Sequence, residues 1–212
     1  MVLWLVFFCL SSSWVNGLDM QQYRFAVRYF VLDLAILLVT VFILTMSLRE
    51  YKFWAFTCIR PTRAALMPAL AACVTFPVIN AVARFANSFV AQAPNALADN
   101  LEQSVLSGDL TSSIVYYCVF CFWTPFWEEI FFRGFLLTSL TRYLPPAGAV
   151  LASSAVFTAV HCSVERFADL MLLGCVIGAV FVRTRNLAAP ILVHSLWNLY
   201  VFLGLTFPGL LL

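Results

Sequence analysis

The sequence predicts an all-α fold, a polytopic membrane helix bundle with about seven transmembrane helices. Three observations carry this. The 212 residues are 63% hydrophobic and only 10% charged, against about 25% charged in a soluble domain. The mean hydropathy is +0.95. Apolar runs alternate with short polar breaks, and one membrane helix needs roughly 20 apolar residues. A formal net charge of +2 without a basic arm gives no basis for a nucleic-acid partner. Membrane lipid is the expected surrounding, for an integral, multi-pass protein.

Residues 2–16 form the first apolar run. It has no basic n-region, and Val15-Asn16-Gly17 is a poor cleavage site, so a short first span is favoured over a signal peptide. The second run is 27–48, with Asp33 inside it. The third is 64–91, interrupted by Pro68 and Pro77 and carrying Arg84. Asp33 and Arg84 could pair structurally. The fourth, 112–139, carries Glu128, Glu129 and Arg133. Three more runs follow at 147–163, 168–183 and 187–205. The 92–111 stretch is the longest polar break and has room for a short interfacial helix.

The loops give an orientation. The 49–63 break holds Arg49, Lys52, Arg60 and Arg63 against Glu50, whereas 92–111 holds Asp99, Glu102 and Asp109 and no basic residue. Arg142 follows in the next break, then the neutral pair Glu165 and Arg166, then Arg183 and Arg185. Basic and non-basic loops alternate, as the positive-inside bias requires. The basic loops are expected to face the cytosol, or the stroma of a plastid. The compartment expected for a eukaryotic protein is an endomembrane or plastid membrane.

Seven scattered cysteines make no disulfide framework. Cys118-x-x-Cys121 lies in an apolar run with no second pair, and packing explains it better than a metal. Gly174-x-x-x-Gly178 permits close helix contact.

Ionisable residues are costly in lipid and persist there when they face one another, line water or do chemistry. Glu129 and Arg133 are four apart and can pair on one helix face. Glu128 is turned about 100° from Glu129 and can meet a different partner. Pro125 removes a donor from this helix and can kink it. A buried ion pair of purely structural value would account for this segment taken alone. The two histidines of the chain follow. Phe157 and His161 are spaced i, i+4, as are His194 and Asn198. A lone histidine of this kind is more often a hydrogen-bonded core residue. Together, however, the three segments place acid, two imidazoles and an amide on three of the expected spans.

Glu128-Glu129-x-x-x-Arg133, Phe157-x-x-x-His161 and His194-x-x-x-Asn198 resemble the three ordered motifs of the CPBP family. That family comprises Rce1-type CAAX prenyl endopeptidases and bacteriocin-processing or immunity proteins, the Abi group. The resemblance covers 112–205 as a catalytic core. Residues 1–111 stand as variable N-terminal helices and 206–212 as a short tail. It implies an intramembrane endopeptidase acting on a lipidated or membrane-embedded protein. It further implies that Glu128 activates water with help from His161, and that His194 and Asn198 form an oxyanion pocket. Glu129 and Arg133 would brace Glu128, with Phe157 in support. No cofactor is expected. The alternative is zinc held by Glu128, His161 and His194, a ligand set that hydrolytic zinc sites use, although the H-E-x-x-H signature is absent.

Two other functions compete. One is a non-proteolytic CPBP-like scaffold or immunity protein. The other is a proton-coupled transporter, which the lack of an inverted repeat disfavours. One geometric demand follows from the topology. Glu128 and His194 fall nearer the basic-loop side and His161 nearer the opposite side, a nominal depth difference of about 5–10 Å.

Overall fold

The computed structural model describes residues 22–47, 58–89, 114 and 116–206. These residues are helical throughout apart from turns and short connections, with no strand among them. We number the helices α1 (Gln22–Ser47), α2 (Arg63–Cys73), α3 (Phe76–Asn87), α4 (residues 116–140), α5 (Pro146–Val160), α6 (Phe167–Thr184) and α7 (Ala188–Thr206). The run expected at 2–16, the 92–111 loop and most of the short tail lie outside the described residues.

The third apolar run is two helices rather than one. α2 and α3 are bent by 40° at Val74 and Thr75. The Thr75 hydroxyl donates to the Ala72 carbonyl at 2.7 Å, relieving one carbonyl at the end of α2. Pro77 sits in the first turn of α3, where a missing N–H leaves no bond unmade.

α6 is by itself long and apolar enough to cross a membrane, and α2 with α3 meets the same measure as a bent pair. The apolar stretches Phe30–Met46, Pro146–Val160 and Ala188–Gly204 are shorter. Helix length therefore marks one span, or two with the bent pair, among the described residues.

The chain divides into two compact units, Met1–Ile43 with Pro94–Pro125 and Ser195–Leu212, and Leu44–Ala93 with Phe126–His194. In the first, Asp33 accepts the Thr124 hydroxyl. Phe30 packs on Trp123 with ring centroids 5.4 Å apart, and Phe202 on Tyr117 at 4.9 Å. In the second unit, Arg84 is exposed and makes no ion pair among the described residues. Cys118 and Cys121 are free thiols.

The second unit is built around α6, which packs on α5, α3 and α2. The two glycines set the α5–α6 distance. A Cβ at Gly174 would lie 2.9 Å from Ser154 Cβ, and one at Gly178 would lie 3.0 Å from Val150 Cγ1. Only hydrogen at these positions allows the backbones this close.

Candidate active site

α4 carries the acids on an unusual winding. Val119–Trp123 and Ile130–Leu137 are π-helical, and α-helical turns hold only Thr124–Glu129 and Thr138–Leu140. Pro125 contributes no N–H, so an α-type bond to the Cys121 carbonyl cannot form. The Thr124 N–H reaches back five residues to the Val119 carbonyl. The second widened stretch begins directly after Glu129. There the Thr138 hydroxyl donates to the Arg133 carbonyl at 2.9 Å, again five residues away. Such widened turns recur at functional sites.

The side chains that α4 turns inward meet α5, α6 and α7 within the second unit. Glu129 and Arg133 are both fully buried, and Arg133 Nη1 donates to Glu129 Oε1 at 2.8 Å. Arg133 Nη2 donates to the Gly174 carbonyl on α6 at 3.1 Å. His194 Nδ1 lies 2.9 Å from the same Glu129 oxygen, and its Nε2 lies 3.8 Å from Glu128 Oε2. All four side chains are 4% exposed or less.

The contacts fix where one proton sits. A carboxylate bound to a guanidinium only accepts, so His194 Nδ1 carries hydrogen toward Glu129. Nε2 then faces Glu128. If neither Nε2 nor Oε2 held a proton, two lone pairs would oppose each other in a buried site. A proton between them would turn this into an attraction, and two carboxylates would then face two cationic partners, which lowers the cost of burial.

Phe157 joins the histidines. Its ring is fully buried, 4.9 Å below the Arg133 guanidinium carbon. Its centroid is 5.7 Å from that of His194, edge-on, and 4.7 Å from that of His161. Phe132 closes the other edge at 5.1 Å. The ring's negative face meets the cation, which suits a cation–π contact.

His161 sits one residue past the end of α5 and is only partly buried. Its Nδ1 is 2.7 Å from the Phe157 carbonyl, so Nδ1 donates and Nε2 is left as an acceptor. The imidazole brought to both glutamates is therefore His194, and His161 reaches this group through the Phe157 ring. That ring lies 4.7 Å from His161 and 5.7 Å from His194, centroid to centroid. Asn198 belongs to the first unit, where its amide donates to the Phe120 carbonyl at 2.7 Å.

Among the described residues, no three histidine, cysteine, aspartate or glutamate side chains are grouped so as to hold a metal ion. Glu129 Oε2 and Arg133 Nε are buried without a hydrogen bond among the described residues. This leaves polar capacity beyond the internal network.

Sequence reasoning left out two contributors. The spacing of Gly174 predicts only close packing, yet its carbonyl takes the second arm of Arg133. The signal was chemical: a buried guanidinium has five donors and one carboxylate cannot satisfy them. Asn186, at the turn into α7, accepts from the Arg60 and Ala188 N–H groups, each at 3.0 Å. It follows Arg185, whose φ of 51° is left-handed, and no pattern of apolar residues signals such a turn.

Helices enclosing a buried centre of two acids, an imidazole and a guanidinium define a class of protein that keeps polar chemistry inside a bundle. Residues 110–200 match the family model described as type II CAAX prenyl endopeptidase Rce1-like, so this stretch of the chain is similar to that family. It is a family of membrane peptidases, and the match supports a hydrolase at that level. No curated protein and no solved structure matches the chain.

Proposed function

We propose that the chain is an intramembrane endopeptidase that hydrolyses a peptide bond with water activated by Glu128, and that its substrate is a lipidated or membrane-embedded protein. The observation that carries this reading is the buried contact of His194 with both glutamates, inside the stretch that matches the peptidase family. Glu128 takes a proton from water, and the oxygen attacks the scissile carbonyl. His194, protonated at Nε2, donates to the oxyanion that develops. Glu128 then returns the proton to the leaving amine, so atoms and charge balance over the cycle. Glu129 and Arg133 hold His194 in the donor orientation. His161, through Nε2, assists in positioning the water. Asn198 is proposed as a second oxyanion donor on its place in the motif: its amide has two hydrogens, and one is given to the Phe120 carbonyl.

The reading includes the finer membrane topology, about seven spans with the basic loops cytosolic. The alternation of loop charge supports it, with α6 as the clearest span. It also includes chemistry independent of metal.

The test is cleavage of a lipidated peptide by the full chain reconstituted in membranes. Glu128→Ala and His194→Ala are expected to lower the rate by about 10²–10⁴-fold, the usual contribution of a positioned acid–base group. Undiminished cleavage by either variant removes that residue from the mechanism. A phenanthroline-type chelator is expected to leave the rate unchanged, and inhibition reversed by added zinc would overturn the metal-independent reading. Loss of a cellular phenotype in these variants without cleavage of any candidate would favour the scaffold reading.

A further inference from the structure

Four arginines outside the site gather at one corner of the second unit. Asn186 brings them there: its Oδ1 accepts from the Arg60 N–H at 3.0 Å and its Nδ2 donates to the Arg60 carbonyl. The Leu187 N–H donates to the Cys58 carbonyl at 2.8 Å. The chain entering α2 is thus tied to the turn between α6 and α7. The Arg60 backbone meets Asn186, the residue after Arg185, while Arg63 opens α2 and Arg183 stands in the last turn of α6. All four are exposed, and none pairs with a carboxylate among the described residues.

An open groove runs from Arg183 between α2 and α6. Met67, Ala71, Ala72, Ala179 and Val180 line it, and its volume is about 540 Å3. The outer face of α2 and α3 continues the apolar surface through Leu70, Val74, Val78 and Phe85, each at least half exposed. A stripe of this kind is suited to hydrocarbon. The arginines belong to the basic loops, which the charge alternation puts on the cytosolic side, where anionic lipids concentrate.

We propose that this corner binds an anionic membrane phospholipid, with an acyl chain in the α2–α6 groove and the phosphate held by Arg183 and Arg63, flanked by Arg60 and Arg185. Guanidinium forks match phosphate oxygens, and basic clusters beside membrane helices recognise such headgroups. A zwitterionic headgroup would bring its own cation against four guanidinium groups. The inference rests on the membrane topology of the proposed reading and not on its peptidase chemistry.

The test is lipid binding to the full detergent-solubilised chain, measured by native mass spectrometry. Long-chain phosphatidylglycerol is expected to bind more tightly than phosphatidylcholine of the same chains. Arg63→Gln with Arg183→Gln should reduce that preference by roughly fivefold per arginine. Both substitutions are at exposed positions, and an unchanged melting temperature verifies the fold. Ala179→Phe, which fills the groove, should weaken phosphatidylglycerol binding severalfold. Equal binding of the two lipids, or no response to the arginine substitutions, overturns the proposal. So does soluble glycerol phosphate binding as tightly as the lipid, because the groove would then contribute nothing. One-for-one displacement of the lipid by a farnesylated peptide overturns it in favour of a substrate groove.

Discussion

Glu129 grips His194. One carboxylate oxygen on α4 accepts from the imidazole Nδ1 on α7 at 2.9 Å, across 65 positions of sequence. The same oxygen takes Arg133 Nη1 at 2.8 Å. A single atom thus fixes both the ring orientation and the guanidinium.

Glu129→Gln is expected to destabilise the fold by about 3–5 kcal/mol, because it leaves Arg133 charged, buried and unpaired. Glu129→Gln combined with Arg133→Met should recover most of that loss while cleavage stays abolished. Thermal unfolding in detergent reads the first effect and the peptide assay the second. A melting temperature of Glu129→Gln equal to wild type would mean that the pair holds nothing together.

The charge state of His194 beside Glu128 is open to direct observation. In the wild type, ¹⁵N spectra of His194 should report imidazolium, with both nitrogens protonated. In Glu128→Gln the cluster loses one negative charge, and the spectrum should change to the neutral Nδ1–H form. A neutral ring in both proteins would rule out the charge balance argued for this centre.

Gly174→Ala places a methyl group 2.9 Å from Ser154 Cβ. Overpacking of this kind costs about 1–3 kcal/mol. It also moves the carbonyl that holds Arg133. Both stability and kcat should fall. Adding Ser154→Gly removes the clash and should restore most of kcat, less the cost of a second helical glycine, about 1 kcal/mol. A double variant no better than Gly174→Ala would show that the close approach is not what positions Arg133.

Phe157→Leu keeps bulk and removes the aromatic face under Arg133. Phe157→Ala also opens a cavity. The alanine variant is expected to lose about 3–5 kcal/mol of stability, and the leucine variant about 1–2, the worth of a desolvated cation–π contact. Cleavage at saturating peptide should fall in both, since both histidine rings pack on this one. Unaltered kcat in a folded leucine variant would reduce Phe157 to a filler.

Much of this was legible in the sequence, and the reasons differ by element. α5, α6 and α7 start and stop within a few residues of their apolar runs, because burial and hydropathy coincide there. The Glu129–Arg133 pair follows from helical spacing. The break at Val74 and Thr75 was marked only by its prolines, since hydropathy runs through it without change. The contact of His194 with Glu129 joins distant segments, and no periodicity encodes it; the family resemblance put His161 beside Glu128 and His194 on the oxyanion side, whereas His194 is the imidazole that meets the acids here. The winding of α4 was invisible, as an apolar stretch reads alike in α and π turns.

That winding has a consequence for how the acids are displayed. The widened turns lie on either side of Thr124–Glu129, and each offsets the angular phase of the helix on its two sides. The glutamate-bearing segment is therefore clocked independently of the flanking stretches. Each widened turn thereby sets the bearing of the two carboxylates separately from the turns beyond it, as a collar sets the phase of two shafts.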